Sequence, residues 1–278
     1  MATALYFAGG LVAAVVLWPL MKGLLAHAAF ARTNYRDHTL PTAGGLVVVV
    51  ALLVTAAIGA LVDTARDRPA AFTYSVERAV LLAGVLGLLG LLDDLAGDGS
   101  SRGFKGHARA LAQGRLTTGM VKLAGGGLVA LVVAHTTAPT VGGVVRDALV
   151  IALSANLANL FDRAPGRTVK VSLVASVVIV AIWHLEPVLA GPALVLGATL
   201  GVFWPDLREE LMLGDTGANV VGGALGAAVC FAGGTTARTV ALVVLVALNA
   251  ASEFVSFSKV INAVAPLRAL DRLGRRAG

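Results

Sequence analysis

Nine long apolar runs dominate this chain and leave few folds open to it. They are Ala4–Ala26, Gly44–Val62, Val76–Leu92, Thr118–Ala134, Gly143–Leu160, Val169–Leu185, Val188–Trp204, Thr216–Ala232 and Ala237–Ser256. A helix needs about 20 mostly apolar residues to cross a bilayer, and these runs approach or exceed that length. Only 14% of the 278 residues are charged, against 57% hydrophobic, and the mean hydropathy is +0.84. Soluble domains carry roughly 25% charged residues. The expectation is an all-α, polytopic transmembrane bundle of about nine spans forming one domain over residues 1–278, with 257–278 a basic cytoplasmic tail. The abundant small residues suit close helix contact in lipid. The first run lacks a basic leader and a cleavage site, so it is expected to be a retained span.

Nine spans fix which loops share a side. Of the 22 lysines and arginines, 17 fall in one set of loops and only Arg66, Arg68, Arg78, Arg146 and Arg238 in the other. The excess of basic residues in cytoplasmic loops then predicts an N-terminus outside and a C-terminus in the cytoplasm. It also accounts for the net charge of +6 without nucleic acid as a partner. The lone cysteine, Cys230, lies in an apolar run and reads as a small packing residue.

The polar clusters obey the same sorting. Asp37–Gly45, Asp93-Asp94, Asn156–Asp162 and Leu213–Asn219 all fall at the side predicted to be cytoplasmic. Channels and carriers more typically place ionisable groups near the midplane. Clusters confined to one face suit chemistry where a water-soluble substrate meets a lipid one, at a cell inner membrane.

Each cluster carries a chemical suggestion. Asp93 and Asp94 end an apolar run, where helix carbonyls already present partial negative charge. A hard cation such as Mg²⁺, or Mn²⁺ in its place, would relieve that charge. Pro41-Thr42-Ala43-Gly44-Gly45 opens the second run and lets backbone approach closely. Arg102 to Lys122 is basic; it serves the orientation rule or holds phosphate oxygens, with Lys122 nearest the membrane. Asn156, Asn159 and Asp162 recur every third residue, on one side of a helix, either for hydrogen bonds between helices or for a site. Arg163, Arg167 and Lys170 follow and suit a phosphate. Gly214-Asp215-Thr216-Gly217 opens the eighth run as a helix cap or an anion site. Asn249, Ser252, Glu253 and Ser256 make a polar stripe near the end of the ninth. No Walker loop, dinucleotide fingerprint or nucleophile elbow occurs.

Taken together these stretches resemble the polyprenyl-phosphate N-acetylhexosamine-1-phosphate transferase superfamily. Pro41–Gly45 resembles its Pro-Thr-x-Gly-Gly, Asp93-Asp94 its paired aspartates, and Asn156–Asp162 its Asn-x-x-Asn-Leu-x-Asp. Gly214–Gly217 resembles its Gly-Asp-Thr-Gly, Lys122 the lysine that begins its fourth span, and Glu253 an acidic residue of its ninth. The resemblance implies a glycosyltransferase of cell-wall or envelope polysaccharide synthesis. It would move a phospho-amino-sugar from a UDP-linked donor to undecaprenyl phosphate. It further implies Mg²⁺ held by Asp215 with Asp93 and Asp94, and substrate held by Asn156, Asn159, Asp162, Lys122, Arg163, Arg167 and Glu253. The expected partners are a polyprenyl phosphate, a nucleotide sugar and the membrane, with a homodimer also open.

Several features depart from the family pattern, among them a longer loop from Asp94 to Lys122. Gly97 stands where a lysine often follows the aspartate pair, Pro165 stands where a further aspartate usually follows Asp162, and the histidine-rich loop is absent. They support a second expectation, a non-catalytic scaffold or lipid-binding relative in envelope assembly.

Overall fold

The computed structural model describes residues 2–65, 71–96, 113–114 and 117–276. The basic positions Arg66, Arg68, Arg102, Lys105, Arg109 and Arg115, and Gly97, lie outside the described residues. Every apolar run is helical. The helices are α1 (Ala2–Leu25), α2 (Gly45–Ala65), α3 (Ala71–Ala96), α4 (Thr118–Ala134), α5 (Val141–Phe161), α6 (Arg167–Trp183), α7 (Ala190–Gly201), α8 (Phe203–Leu207), α9 (Gly214–Ala232) and α10 (Thr235–Ser252). Two short helices follow, α11 (Phe257–Ala263) and α12 (Ala265–Arg272). The chain is therefore an all-α bundle. Among the described residues five helices are long and apolar enough to cross a membrane: α1, α2, α3, α5 and α10. Helix α4 and the segment Pro187–Gly201 are apolar but shorter.

One run is broken. Val188–Trp204 folds as a 3₁₀ turn, then α7, then the separate turn of α8, with Val202 between the two helices. Pro205 and Asp206 lie within that short turn, and the chain leaves the helix after Leu207.

Helix α9 is the hub. Residues Thr216–Gly223 are buried without a break, and the helix packs on α2, α3, α5, α6 and α7. Small residues permit this approach. A Cβ on Gly90 of α3 would overlap the Asp215 carbonyl, so α3 meets α9 backbone to backbone at the level of the aspartates. Helix α10 lies outside, against α5, and buries none of its residues. Its outward Val240, Val243, Val244 and Val246 are exposed, as expected of a surface that lipid covers.

Among the described residues the one β element is a ribbon between α1 and α2. Strand β1 (Ala31–Thr33) pairs antiparallel with β2 (Thr39–Pro41), with Arg32 opposite Leu40. The turn between them is built by Asn34, whose side-chain oxygen accepts from the Arg36 and His38 amides at 2.8 and 3.0 Å. The ribbon continues into the α8–α9 loop. Met212 N–H donates to the Pro41 carbonyl, and the Gly44 and Gly45 amides donate to Met212 and Leu213. The Pro-Thr-Ala-Gly-Gly segment is thus sewn to the loop that precedes Asp215.

The C-terminal segment also folds. The Arg167 guanidinium, 5% exposed, makes a two-pronged pair with Asp271 of α12 at 2.8 and 3.0 Å. Lys170 donates to the carbonyls of Leu270, Asp271 and Leu273, and Phe257 stacks on Phe161 with ring centroids 5.0 Å apart. The expected basic tail is a docked pair of helices.

Candidate functional site

The start of α4, the ends of α3 and α5, and the start of α9 lie together, and three aspartates meet there in two different states. Asp94 is committed to the backbone. Its carboxylate accepts from the Asp215 and Thr216 amides, both at 3.0 Å, and from the Thr216 hydroxyl at 2.6 Å. It therefore caps α9 from another helix, satisfying amides that lack a partner in the first turn. Gly214 makes room for this. It sits at φ 71°, and a Cβ there would come 2.7 Å from the Asp94 Oδ2. Thr42 of the Pro-Thr-Ala-Gly-Gly segment approaches the same carboxylate at 3.4 Å.

Asp93, one residue earlier, points elsewhere. It accepts from the Thr118 hydroxyl at 2.6 Å and from the Lys122 ammonium at 3.0 Å. The same ammonium is bonded to Asp215, which also accepts from the Asn159 amide at 3.2 Å. Lys122 thus stands between two carboxylates from α3 and α9. It was expected to meet phosphate; here it bridges the pair.

This arrangement bears on a divalent ion. Among the described residues no group of three or more histidine, cysteine or acidic side chains is disposed to hold a metal. Two carboxylates already share a cation, however, and Mg²⁺ is usually held by one or two carboxylates, substrate phosphates and waters. Asp93 and Asp215 fit that donor set if Lys122 moves onto an incoming phosphate. Asp94 does not, because its oxygens are taken by the cap.

A cavity of about 430 Å³ opens beside this cluster. Asp94, Asp162, Asp206, Glu209 and Asp215 line it, with Arg163 as the lone lysine or arginine among its lining residues. Burial, and then the charges of Asp206 and Asp215, push the Asp162 carboxyl well above the usual range. Burial also raises Asp206 to about 7, against the opposing donation from the Gly166 amide at 2.9 Å. Glu209, at φ 57° and 7% exposed, closes one wall. It pairs with Arg36 at 3.3 Å and takes a hydrogen bond from Asn34 at 3.1 Å.

The remaining expected site residues separate. Asn159 and Asp162 belong to the cluster and its cavity. Asn156 does not: its amide donates to Asn249 of α10 at 2.7 Å, the interhelical bond that was the other reading of the motif. Arg163 lines the cavity with its side chain exposed. Arg167 is buried against Asp271 and Ser258, so its charge holds the C-terminal helices. Glu253 caps the end of α10, exposed, and does not line this cavity. Asp206 and Glu209 escaped the sequence reading. The polar run Asp206–Glu210 between two apolar segments was the available signal.

No protein-family model matches the chain, and a search of curated proteins finds no significant match.

Proposed function

We propose that this chain is an integral-membrane transferase. It would move a phospho-amino-sugar, GlcNAc-1-phosphate or a MurNAc-type group, from a UDP-linked donor to a polyprenyl phosphate. The site would face the cytoplasm at the inner membrane, with nine spans, the N-terminus outside and the C-terminus inside. The observation that carries this reading is the meeting of Asp93, Lys122, Asn159 and Asp215, from four helices, beside an acidic cavity. Those residues come from four of the stretches that resemble the family, far apart in the chain.

In this reading an oxygen of the lipid phosphate bonds to the β-phosphorus of the donor. The bond from that phosphorus to the bridging oxygen breaks, and UMP leaves with the electron pair. Such transfers depend mainly on positioning and charge stabilisation. Mg²⁺, bound by Asp93 and Asp215, would supply charge neutralisation of the diphosphate. Asn159 fixes the Asp215 carboxylate. Lys122, released from between the aspartates, would donate to a phosphate oxygen. Asp94 acts at one remove, holding the start of α9 so that Asp215 is presented to the cavity.

The test is direct. Purified protein with Mg²⁺ and undecaprenyl phosphate is given a panel of UDP-amino sugars, and the lipid fraction is assayed for a diphosphate-linked sugar. Product that requires both Asp93 and Asp215 supports the reading. No product from any donor, with the protein folded, removes it.

The Lys122 bridge also supports a second reading. With both carboxylates already bonded to one ammonium, the cluster would be a structural tie in a non-catalytic relative. That reading expects Asp215→Asn to leave cellular function intact.

A further inference from the structure

A second cavity, of about 560 Å³, lies next to the acidic one and shares Tyr35, Arg163 and Ala164 with it. Its charge is opposite. Arg36, Arg163, Arg167, Arg272, Arg275 and Arg276 line it, with Asp271 the one acidic residue among them. Three of these arginines have visible work. Arg167 and Arg275 both hold Asp271, Arg275 also donates to the Pro165 carbonyl at 2.9 Å, and Arg36 is paired with Glu209. Arg163, Arg272 and Arg276 have no carboxylate within 4.0 Å among the described residues.

The anchors explain how such a surplus is held. Buried Arg167 grips α12 with two prongs, and Lys170 gathers three carbonyls at the end of that helix. The carbonyls and the single aspartate absorb the anchoring cations, while the remaining guanidiniums are brought together against their mutual repulsion. Arginine presents a planar fork that matches phosphate oxygens. The volume lies within the range of small-molecule pockets, about 300–1,000 Å³, and exceeds the needs of a single small ion. We propose that this cavity binds a polyanionic phosphoryl group, with Arg163, Arg272 and Arg276 as its principal contacts. The ligand is either a soluble diphosphate or the head group of an anionic lipid. The proposal does not depend on the transfer reaction.

The experiment uses the full chain in phosphatidylcholine nanodiscs, with EDTA present so that no divalent ion mediates binding. Inorganic pyrophosphate is titrated calorimetrically. The expected result is saturable binding that the double variant Arg272→Ala/Arg276→Ala weakens ten-fold or more. Arg208→Ala, which removes a cation outside the cavity, and Asp215→Asn should leave it within two-fold of wild type. Both substituted arginines are exposed, and thermal unfolding of the double variant checks that α11 and α12 still dock. Repeating the titration in nanodiscs containing phosphatidylglycerol identifies the source: competition points to a lipid head group, its absence to a soluble ligand. Pyrophosphate that fails to bind, or that binds the double variant as well as wild type, overturns the proposal.

Discussion

The two ends of the bundle use buried carboxylates differently. Asp147, fully buried near the start of α5, takes hydrogen bonds from Thr137 at 2.6 Å, Arg146 at 2.8 Å and Arg238 at 2.8 Å. Arg238 then closes the loop ends by donating to the Gly233 and Thr137 carbonyls. One acid meets two bases. At the opposite end five acids surround an open cavity, and one exposed arginine lines it with them. A buried charge whose hydrogen bonds are complete is a lock; an acidic surplus beside a cavity is a place for a cation to arrive. Charge balance distinguishes the two where residue type does not.

The contrast can be broken by substitution. Asp147→Ala strands two arginines, and losing one partner of a buried ion pair costs about 3–5 kcal/mol. A large fall in unfolding temperature in detergent, with Arg146 and Arg238 intact, is the expected outcome. Asp215→Asn should do the reverse. Transfer activity should fall about 10²–10³-fold, the scale of removing one group that stabilises developing charge, while the unfolding temperature hardly moves. Asp94→Ala sits between these two. Losing a helix cap costs roughly 0.5–2 kcal/mol, and activity should drop because Asp215 is displaced, with Asp94→Asn restoring much of both.

The smallest effect is a pH dependence. Asp206 binds its proton more tightly when folded, near pH 7, than the ordinary carboxylate value of 3.8. The folded state therefore holds more protons than the unfolded state between those values, and stability should fall as pH rises through that window. Asp206→Asn should flatten the slope of unfolding temperature between pH 5 and 7.5 by several degrees. An unchanged slope would mean that Asp206 does not set it.

The apolar runs were legible because membrane helices announce themselves by length and hydropathy. Their ends were less so. Helix α3 starts at Ala71 rather than Val76, because the residues just before Val76 are compatible with a helix. Ser75 binds the Val188 carbonyl at 2.6 Å, a tertiary partner that local pattern does not reveal. Asp147 lies inside α5, a tertiary ion pair with Arg146 and Arg238 that the apolar run around it does not reveal. The ribbon at Ala31–Pro41 was too short to alternate visibly. Spacing put Asn156, Asn159 and Asp162 on one side of α5, but 3.6 residues per turn carry that side gradually around the helix. Asn156 therefore meets α10, while Asn159 meets Asp215. The aspartate pair was recognised, but its division of labour was not. Adjacent helical residues point about 100° apart, so Asp94 reaches the α9 amides while Asp93 faces α4.

The proposed transfer requires Asp93 and Asp215 to exchange the Lys122 ammonium for a divalent ion when a diphosphate arrives. Anomalous diffraction from crystals grown with Mn²⁺ and a UDP-amino sugar tests this most directly. A manganese peak within bonding distance of both carboxylates, with Lys122 turned onto a phosphate oxygen, is the result expected. Donor bound with Lys122 still bridging the two aspartates, and no manganese beside them, would contradict it.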